Sequence, residues 1–299
     1  MPIVSMSRLL HDAQRGGYAL CYCESWSLES FQAVVEAAEE EASPIIVGFN
    51  GGFLRHHGRK RPENLTYYAG LGLSLMKSCV PATFLLNESD SLEQMEGGID
   101  LGFNAVMVEN EGVAPDDYLR LVRQVVVRAH AKGVTVEAQV GHLADASSNS
   151  HAQPTSAQAA KAFVEATGID ALGVAVGNVH ILTSGTSPLD LEKLAEIGKA
   201  VSVPLVLHGG TGIPLGDAPA CIRLGVAKVN YGTGLKQAYL EAMREKLAAY
   251  REPMSPHPFL GMGGENDILM AAREAVKLKC RELLRAWSSS GKAGAAAQA

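Results

Sequence analysis

The feature that most constrains this chain is its alternation of short apolar, β-prone runs with helical runs. YALCYC leads to LESFQAVVEAAEEEA, PIIVGF to LTYYAGLGLSLMKSC, and PATFLL to SLEQMEGGIDLG. AVMVE precedes DDYLRLVRQVVVRAHAKG, TVEAQVG precedes SAQAAKAFVEATG, and ALGVAVG precedes LDLEKLAEIGKAV. PLVLHGG is followed by DAPACIRLG, and KVNYG closes the series of eight strand candidates. Strands that are apolar throughout, each followed by a helix, indicate a parallel sheet buried on both faces. An open doubly wound sheet would have fewer strands and a Gly-rich fingerprint after the first. The expected fold is therefore α/β, a closed (β/α)8 TIM barrel, whose active sites lie where strands end and the following loops begin.

One domain is expected over residues 1–287, ending in the helix AAREAVKLKCRELLRAW, with a disordered tail at 288–299. REPMSPHPFLGMGGENDILM breaks the periodicity before that helix, and HLADASSNSHAQPTS is a polar loop suited to a mobile lid. The 299 residues are 47% hydrophobic and carry a net charge of −6, so no overall positive field recruits nucleic acid or an anionic membrane. A small-molecule partner is expected instead. No stretch approaches the ~20 apolar residues of a spanning helix, and the N-terminus lacks a signal-peptide apolar region, so a cytoplasmic protein is expected. Five cysteines without CxxC spacing read as reduced thiols; Cys21 and Cys23 fit alternation on a strand, or a CxC metal pair.

The residues that close the strand candidates are Glu24, Asn50, Asn87 with Glu88, Glu109, Gln139, His180, His208 and Asn230. Surface turns favour Gly, Pro, Asp and Ser, whereas this set is rich in groups that bind metals or move protons. His180 and His208 end strands expected to be neighbours, and imidazoles converging with a carboxylate suit a divalent metal. HGGTGIP and NYGTG are Gly-rich turns after the last two strands, where barrels of this kind commonly hold phosphate. Read singly, each is a tight turn; read together, Gly209, Gly210, Thr211, Asn230, Gly232 and Thr233 form an anion cradle.

These residues resemble the class II, metal-dependent fructose-bisphosphate and tagatose-bisphosphate aldolases. FVEATGIDALGVAVGNVH, VPLVLHGGTGIP and GVAKVNYGT are similar to that family's VDALAVAIGTAHG, PLVLHGGSGIP and KVNIAT segments. The resemblance implies a homodimer or homotetramer acting on a phosphorylated sugar, with zinc bound by three histidines, two of which match His180 and His208. It also places Glu109 and Gln139 at a second, more mobile metal position and gives the phosphate end of the substrate to the two Gly-rich loops.

The family's HLDHG, which holds the catalytic Asp and the third zinc His, aligns with LLNES. Asn87 then stands at the acid and Glu88 at the His. The strand-one Asn becomes Glu24, the Gly after the first zinc His becomes Ile181, and the acidic or small residue of the last loop becomes Gly232. A Glu88, His180, His208 set still suits Zn²⁺, and admits Mn²⁺ or Mg²⁺ more readily than three imidazoles would. Asn87 cannot carry a proton, which leaves Glu24, Glu109 and His142 as candidate acids and bases. Three functions follow: a lyase acting through a metal-stabilised enediolate, a sugar isomerase or epimerase on the same scaffold, and a non-catalytic phosphosugar-binding homologue.

Overall fold

The computed structural model describes residues 3–75, 80–146 and 152–294. Cys79 and the middle of the expected lid lie outside the described residues. Eight strands close into a parallel barrel: β1 (Leu20–Ser25), β2 (Ile45–Asn50), β3 (Ala82–Ser89), β4 (Ala105–Val108), β5 (Thr135–Val140), β6 (Ala171–Val174), β7 (Leu205–Leu207) and β8 (Val226–Tyr231). Each pairs with its sequence neighbours, and β8 returns to β1 with Leu20 opposite Lys228 and Tyr22 opposite Asn230. The closed barrel is the expected one, and it leaves no sheet edge unpaired.

Because side chains alternate across a strand, two separate apolar layers form. Cys21, Cys23, Val47, Phe84, Leu86, Val106 and Val136 face the helices. Tyr22, Ile46, Leu85, Met107 and Val206 face inward and meet Met6, Leu9, Leu10 and Ala13. Those last four belong to a helix at Met6–Gly16 that was not among the expected elements. Its start is tied to β5 by Ser5 Oγ and Thr135 Oγ1, 3.2 Å apart, and its end by Gln14 Nε2 donating to Gly225 O at 3.2 Å. Both anchors sit at the N-terminal ends of strands, so this helix stoppers one mouth of the barrel. The opposite mouth stays open to ligands.

Two expected strands are shorter than their apolar runs. β6 stops at Val174 because Thr155 Oγ1 and Asn178 Oδ1 accept the next backbone N–H groups, of Ala175 and Val176, at 2.8 and 2.9 Å. His180 therefore does not end β6. It lies beyond it on a two-residue strand, Val179–His180, paired with Ala144–Asp145. β7 stops at Leu207, where the chain turns into a left-handed Gly209. Cys21, Cys23, Cys221 and Cys280 are buried free thiols, so strand alternation accounts for the first pair. Among the described residues no helix is long and apolar enough to cross a membrane.

The helix after β8, for which the sequence marks no bounds, runs over Thr233–Leu247, and the last helix, Ile268–Ala286, packs against it and against Leu28–Glu40. Arg273 joins Glu36 and Gln32 across the second interface, while Lys277 and Arg281 reach Glu40. Glu41 gathers Arg281, Arg285 and Ser290 at 2.6–3.0 Å. Part of the expected tail follows this anchor: Ser289 is buried, Gly291 N–H donates to Glu41 O at 2.8 Å, and Ala293 N–H donates to Ala42 O at 2.9 Å. A short segment next to an ordered helix finds these partners without any periodic pattern of its own, which is why its composition reads as tail.

The Arg285 hydrogen bond, with Arg281 and Ser290 adding to it against burial, holds the Glu41 carboxyl at about 2. A carboxyl depressed on folding stabilises the native state above its unfolded pKa, and that contribution fades as pH falls through that value toward 2. Glu41→Gln is expected to lower unfolding stability by about 1–2 kcal/mol near neutrality. In urea unfolding at a series of pH values, the gap between variant and wild type should close as the medium is acidified below the ordinary carboxylate range.

Candidate metal and phosphate site

Inward-facing positions at the open end of the strands bring Glu24, Asn50, Asn87, Glu109, Gln139, His208 and Asn230 together. Gln139 and His208 are almost fully buried, and Glu24, Asn50, Asn87, Glu88, Glu109 and Asn230 line one cleft of about 300 Å³. His180 enters the same cleft from its loop, as do Gly209, Gly210, Thr211, Gly232 and Thr233. Of the candidates named from the sequence, His208, Gln139 and His142 do not line this cleft: His208 and Gln139 are buried, and Gln139 and His142 border a small recess that shares Glu109 and His180 with it.

β3 supplies the hinge of the site. Its register with β4 shifts between Leu86 and Ser89, and Glu88 adopts φ of 50°, a left-handed conformation that non-glycine residues rarely hold. The bulge turns the Glu88 carboxylate away from the strict alternation and toward the barrel axis. There Asn50 Nδ2 donates to its Oε2 at 2.5 Å and Asn87 Nδ2 donates to its Oε1 at 3.0 Å. Ligand atoms of Glu88, His180 and His208 all lie within 4.8 Å of one another.

His208 is oriented from below. Its Nε2–H donates to Glu137 Oε1 at 2.9 Å, and Glu137 Oε2 lies 2.8 Å from Lys228 Nζ, both charges being fully buried. Asn230 joins this network: its Oδ1 accepts from Lys228 at 2.6 Å, and its amide lies 3.1 Å from His208 Nε2. The arrangement commits Nε2 downward and leaves Nδ1, 3.3 Å from Glu88 Oε1, without a hydrogen-bond partner among the described residues. An imidazole whose second nitrogen is held by a carboxylate is the arrangement metal-ligating histidines adopt. The orphaned Nδ1, a carboxylate and a second imidazole within metal reach fit a divalent cation.

The electrostatics agree with a site that wants positive charge. Burial opposes charge on His208, yet the Glu137 hydrogen bond and the facing Glu88 carboxylate carry its pKa up to about 9. Burial likewise opposes the Glu88 charge, but the facing His208 and His180 rings hold it at about 2. Glu109 goes the other way: burial, then the negative Glu88 nearby, push it up to about 7. Its Oε1 accepts the N–H of Asn110 at 2.7 Å, that of Glu111 at 3.0 Å, and Gln139 Nε2 at 3.2 Å. Burial raises Glu24 as well, opposed by its ion pair with Lys236.

The Gly-rich loops form one wall. Gly209 has φ of 67°, and a Cβ there would lie 2.2 Å from Val179 O, so only glycine lets the loop pass the strand that carries His180. Gly210–Gly212 makes a tight turn, and Thr211 Oγ1 accepts Gly234 N–H at 3.0 Å, locking that turn to the first turn of helix Thr233–Leu247. Backbone N–H groups at a helix start favour an anion. The Asn230 side chain faces the buried network, so the cradle facing the cleft is built mainly from backbone.

Sequence reasoning missed three charged residues. Glu137 and Lys228 sit one layer below the strand ends, and their signal is a charge inside an otherwise apolar run, in TVEAQV and KVN. Lys236 lies on the helix after β8, whose bounds the sequence does not mark. His142 is placed with its backbone paired to Gln153, beside a small recess shared with Glu109, Gln139, Asp145 and His180.

Residues 4–292 match the profile of the family described as fructose-bisphosphate aldolase class-II. The chain is 35% identical over 302 residues to a probable fructose-bisphosphate aldolase of Bacillus subtilis, covering 98% of this chain and all of that one. A fructose-bisphosphate aldolase of Geobacillus stearothermophilus is also 35% identical, with 98% of this chain and 99% of the relative covered. Among solved structures, the YdjI aldolase of Escherichia coli K12 superposes with a TM-score of 0.81 at 29% identity, covering 98% of this chain and all of its own.

Elemental analysis of the purified protein checks the metal assignment: roughly one divalent ion per chain is expected, falling to near zero in Glu88→Ala and His208→Ala. Glu137→Gln should keep the ion but bind it about 10–100-fold more weakly, as loss of a supporting carboxylate does.

Proposed function

The chain belongs to the class II fructose-bisphosphate aldolase family, whose members are metal-dependent carbon–carbon lyases, and from this we propose that it cleaves and forms the central bond of a ketose phosphate. The observation that carries the proposal is the convergence of Glu88, His180 and His208 on the same cleft as the backbone cradle. A cation held by those three residues, Zn²⁺ by family habit, supplies Lewis-acid polarisation of a substrate carbonyl when bound.

The chain's own groups divide the remaining work. The Gly210–Gly212 turn and the start of helix Thr233–Leu247 receive the phosphate, fixing the carbonyl carbon relative to the barrel axis. Asn87 stands where the family places its acid, and its amide is committed to holding Glu88. It is a positioning residue here. Proton transfer passes to Glu109, which lines the cleft, is fixed by two backbone N–H groups and is poised near neutrality.

In the cleavage direction the Glu109 carboxylate removes the proton of the hydroxyl beside the breaking bond. The carbon–carbon pair then moves toward the carbonyl half as the aldehyde forms. Glu109 returns the same proton to the carbon left behind, so the carboxylate ends the cycle as it began. Glu24, paired with Lys236, borders the distal part of the cleft and accepts hydroxyl hydrogen bonds there.

Glu109→Gln is expected to lower kcat at least about 100-fold with a ketose phosphate while KM changes little. The same variant should lose solvent deuterium incorporation into the released triose phosphate, read by NMR. Deuterium exchange by the wild type without any triose release would instead favour isomerase or epimerase chemistry on the same residues.

A further inference from the structure

Beyond Glu24 the cleft adjoins a second cavity of about 210 Å³, with Glu24, Asn50, Phe53 and Lys236 bordering both. Its walls are the rings of Trp26, Phe49, Phe53 and Tyr68. Tyr68 meets Phe49 edge to face at 4.9 Å, and Lys236 Nζ sits 4.3 Å from the Phe53 ring centroid. Ser25 lines the cavity too; it is 2% exposed, and its Oγ has no hydrogen-bond partner among the described residues. An aromatic-walled recess with an unused hydroxyl, next to a reactive cleft, is built to take one end of a substrate.

The charges in this annex cancel in pairs. Lys236 is joined to Glu24, and Arg59 Nη1 donates to Glu63 Oε1 at 2.7 Å while its Nε donates to Phe53 O at 2.6 Å. Each cation already has a carboxylate partner. A phosphate dianion entering here would meet the Glu24 carboxylate and compete with it for Lys236, a cost that an uncharged group avoids. The rim cations Arg55, Lys60 and Arg61 border neither cavity.

The Glu24 carboxylate also occupies space that another residue would need. A Cβ at Gly232 would lie 2.8 Å from Glu24 Oε2. The acid of this region thus projects from β1 toward the annex, and the cradle loop is kept bare beside it.

Resting on the lyase reading above, we infer that the annex holds the aldehyde-side end of the substrate as an uncharged, hydroxylated chain. The preferred substrate is a ketose 1-phosphate carrying no second phosphate. The ring walls cover the carbon skeleton, and the Glu24 carboxylate and Ser25 Oγ take the hydroxyl hydrogen bonds.

The test compares a ketohexose 1-phosphate with the 1,6-bisphosphate of the same skeleton, using the metal-loaded full chain and triose release as the readout. The monophosphate is expected to have a kcat/KM higher by about tenfold or more. Equal values, or preference for the bisphosphate, overturn the inference. Trp26→Ala and Ser25→Ala should raise KM for the monophosphate about tenfold and move kcat less, narrowing the discrimination; a fall in kcat alone would assign the annex a purely structural role and overturn the inference as well. Deuterium exchange into dihydroxyacetone phosphate by the wild type separates the two levels. Exchange with a bisphosphate preference removes the annex assignment and leaves the lyase, whereas absence of both exchange and cleavage removes the lyase reading itself.

Discussion

The ion pair between Lys228 and Glu137, buried in the middle of the barrel, is the interaction on which the site depends. Two unpaired charges could not remain there, because each alone would cost several kcal/mol in lost hydration. Together they fix a carboxylate whose other task is to hold His208 Nε2. That single hydrogen bond decides which imidazole nitrogen faces the cleft. The barrel interior thus works in tiers: an apolar stopper at the closed mouth, a charged tier in the middle, and the reactive groups above it.

Glu88 depends on this tier and on strain of its own. A left-handed glutamate in the bulge of a strand persists only where its surroundings over-determine it, and here Asn50, Asn87 and His208 do so. Asn87 is informative in that light. A carboxylate at position 87 would place a second negative charge against Glu88, so an amide suits that position beside a buried carboxylate. Asn87 and Glu88 are thus one electrostatic arrangement, and of the two only Glu88 can carry a proton.

The barrel was legible because parallel strands, buried on both faces, must be apolar runs, and because each is separated from the next by a helix. The strand-end positions of Glu24, Asn87, Glu109 and Asn230 were legible for the same reason, since period two sends the last inward residue to the open mouth. His180 was harder: the apolar run ALGVAVG continues past the point where Thr155 and Asn178 side chains take over the backbone N–H groups, so the sequence shows a strand where the fold has a loop. The Met6–Gly16 stopper packs its apolar face against residues distant in sequence, a relation no local pattern states. Glu137 and Lys228 were visible as misplaced charges, but their pairing is a property of register across β5 and β8.

The far end of the chain is coupled to the cradle through Trp287, which is fully buried and whose indole N–H donates to Tyr231 OH at 2.7 Å. Tyr231 stands between Asn230 and Gly232, and Trp287 O accepts Ala19 N–H at 3.0 Å just before β1. The largely exposed residues 251–266 join helices Thr233–Leu247 and Ile268–Ala286, which already pack on each other. A protease cutting this connector would nick the chain without dismembering it, because the released piece stays bolted to β1 and β8 by its last aromatic ring.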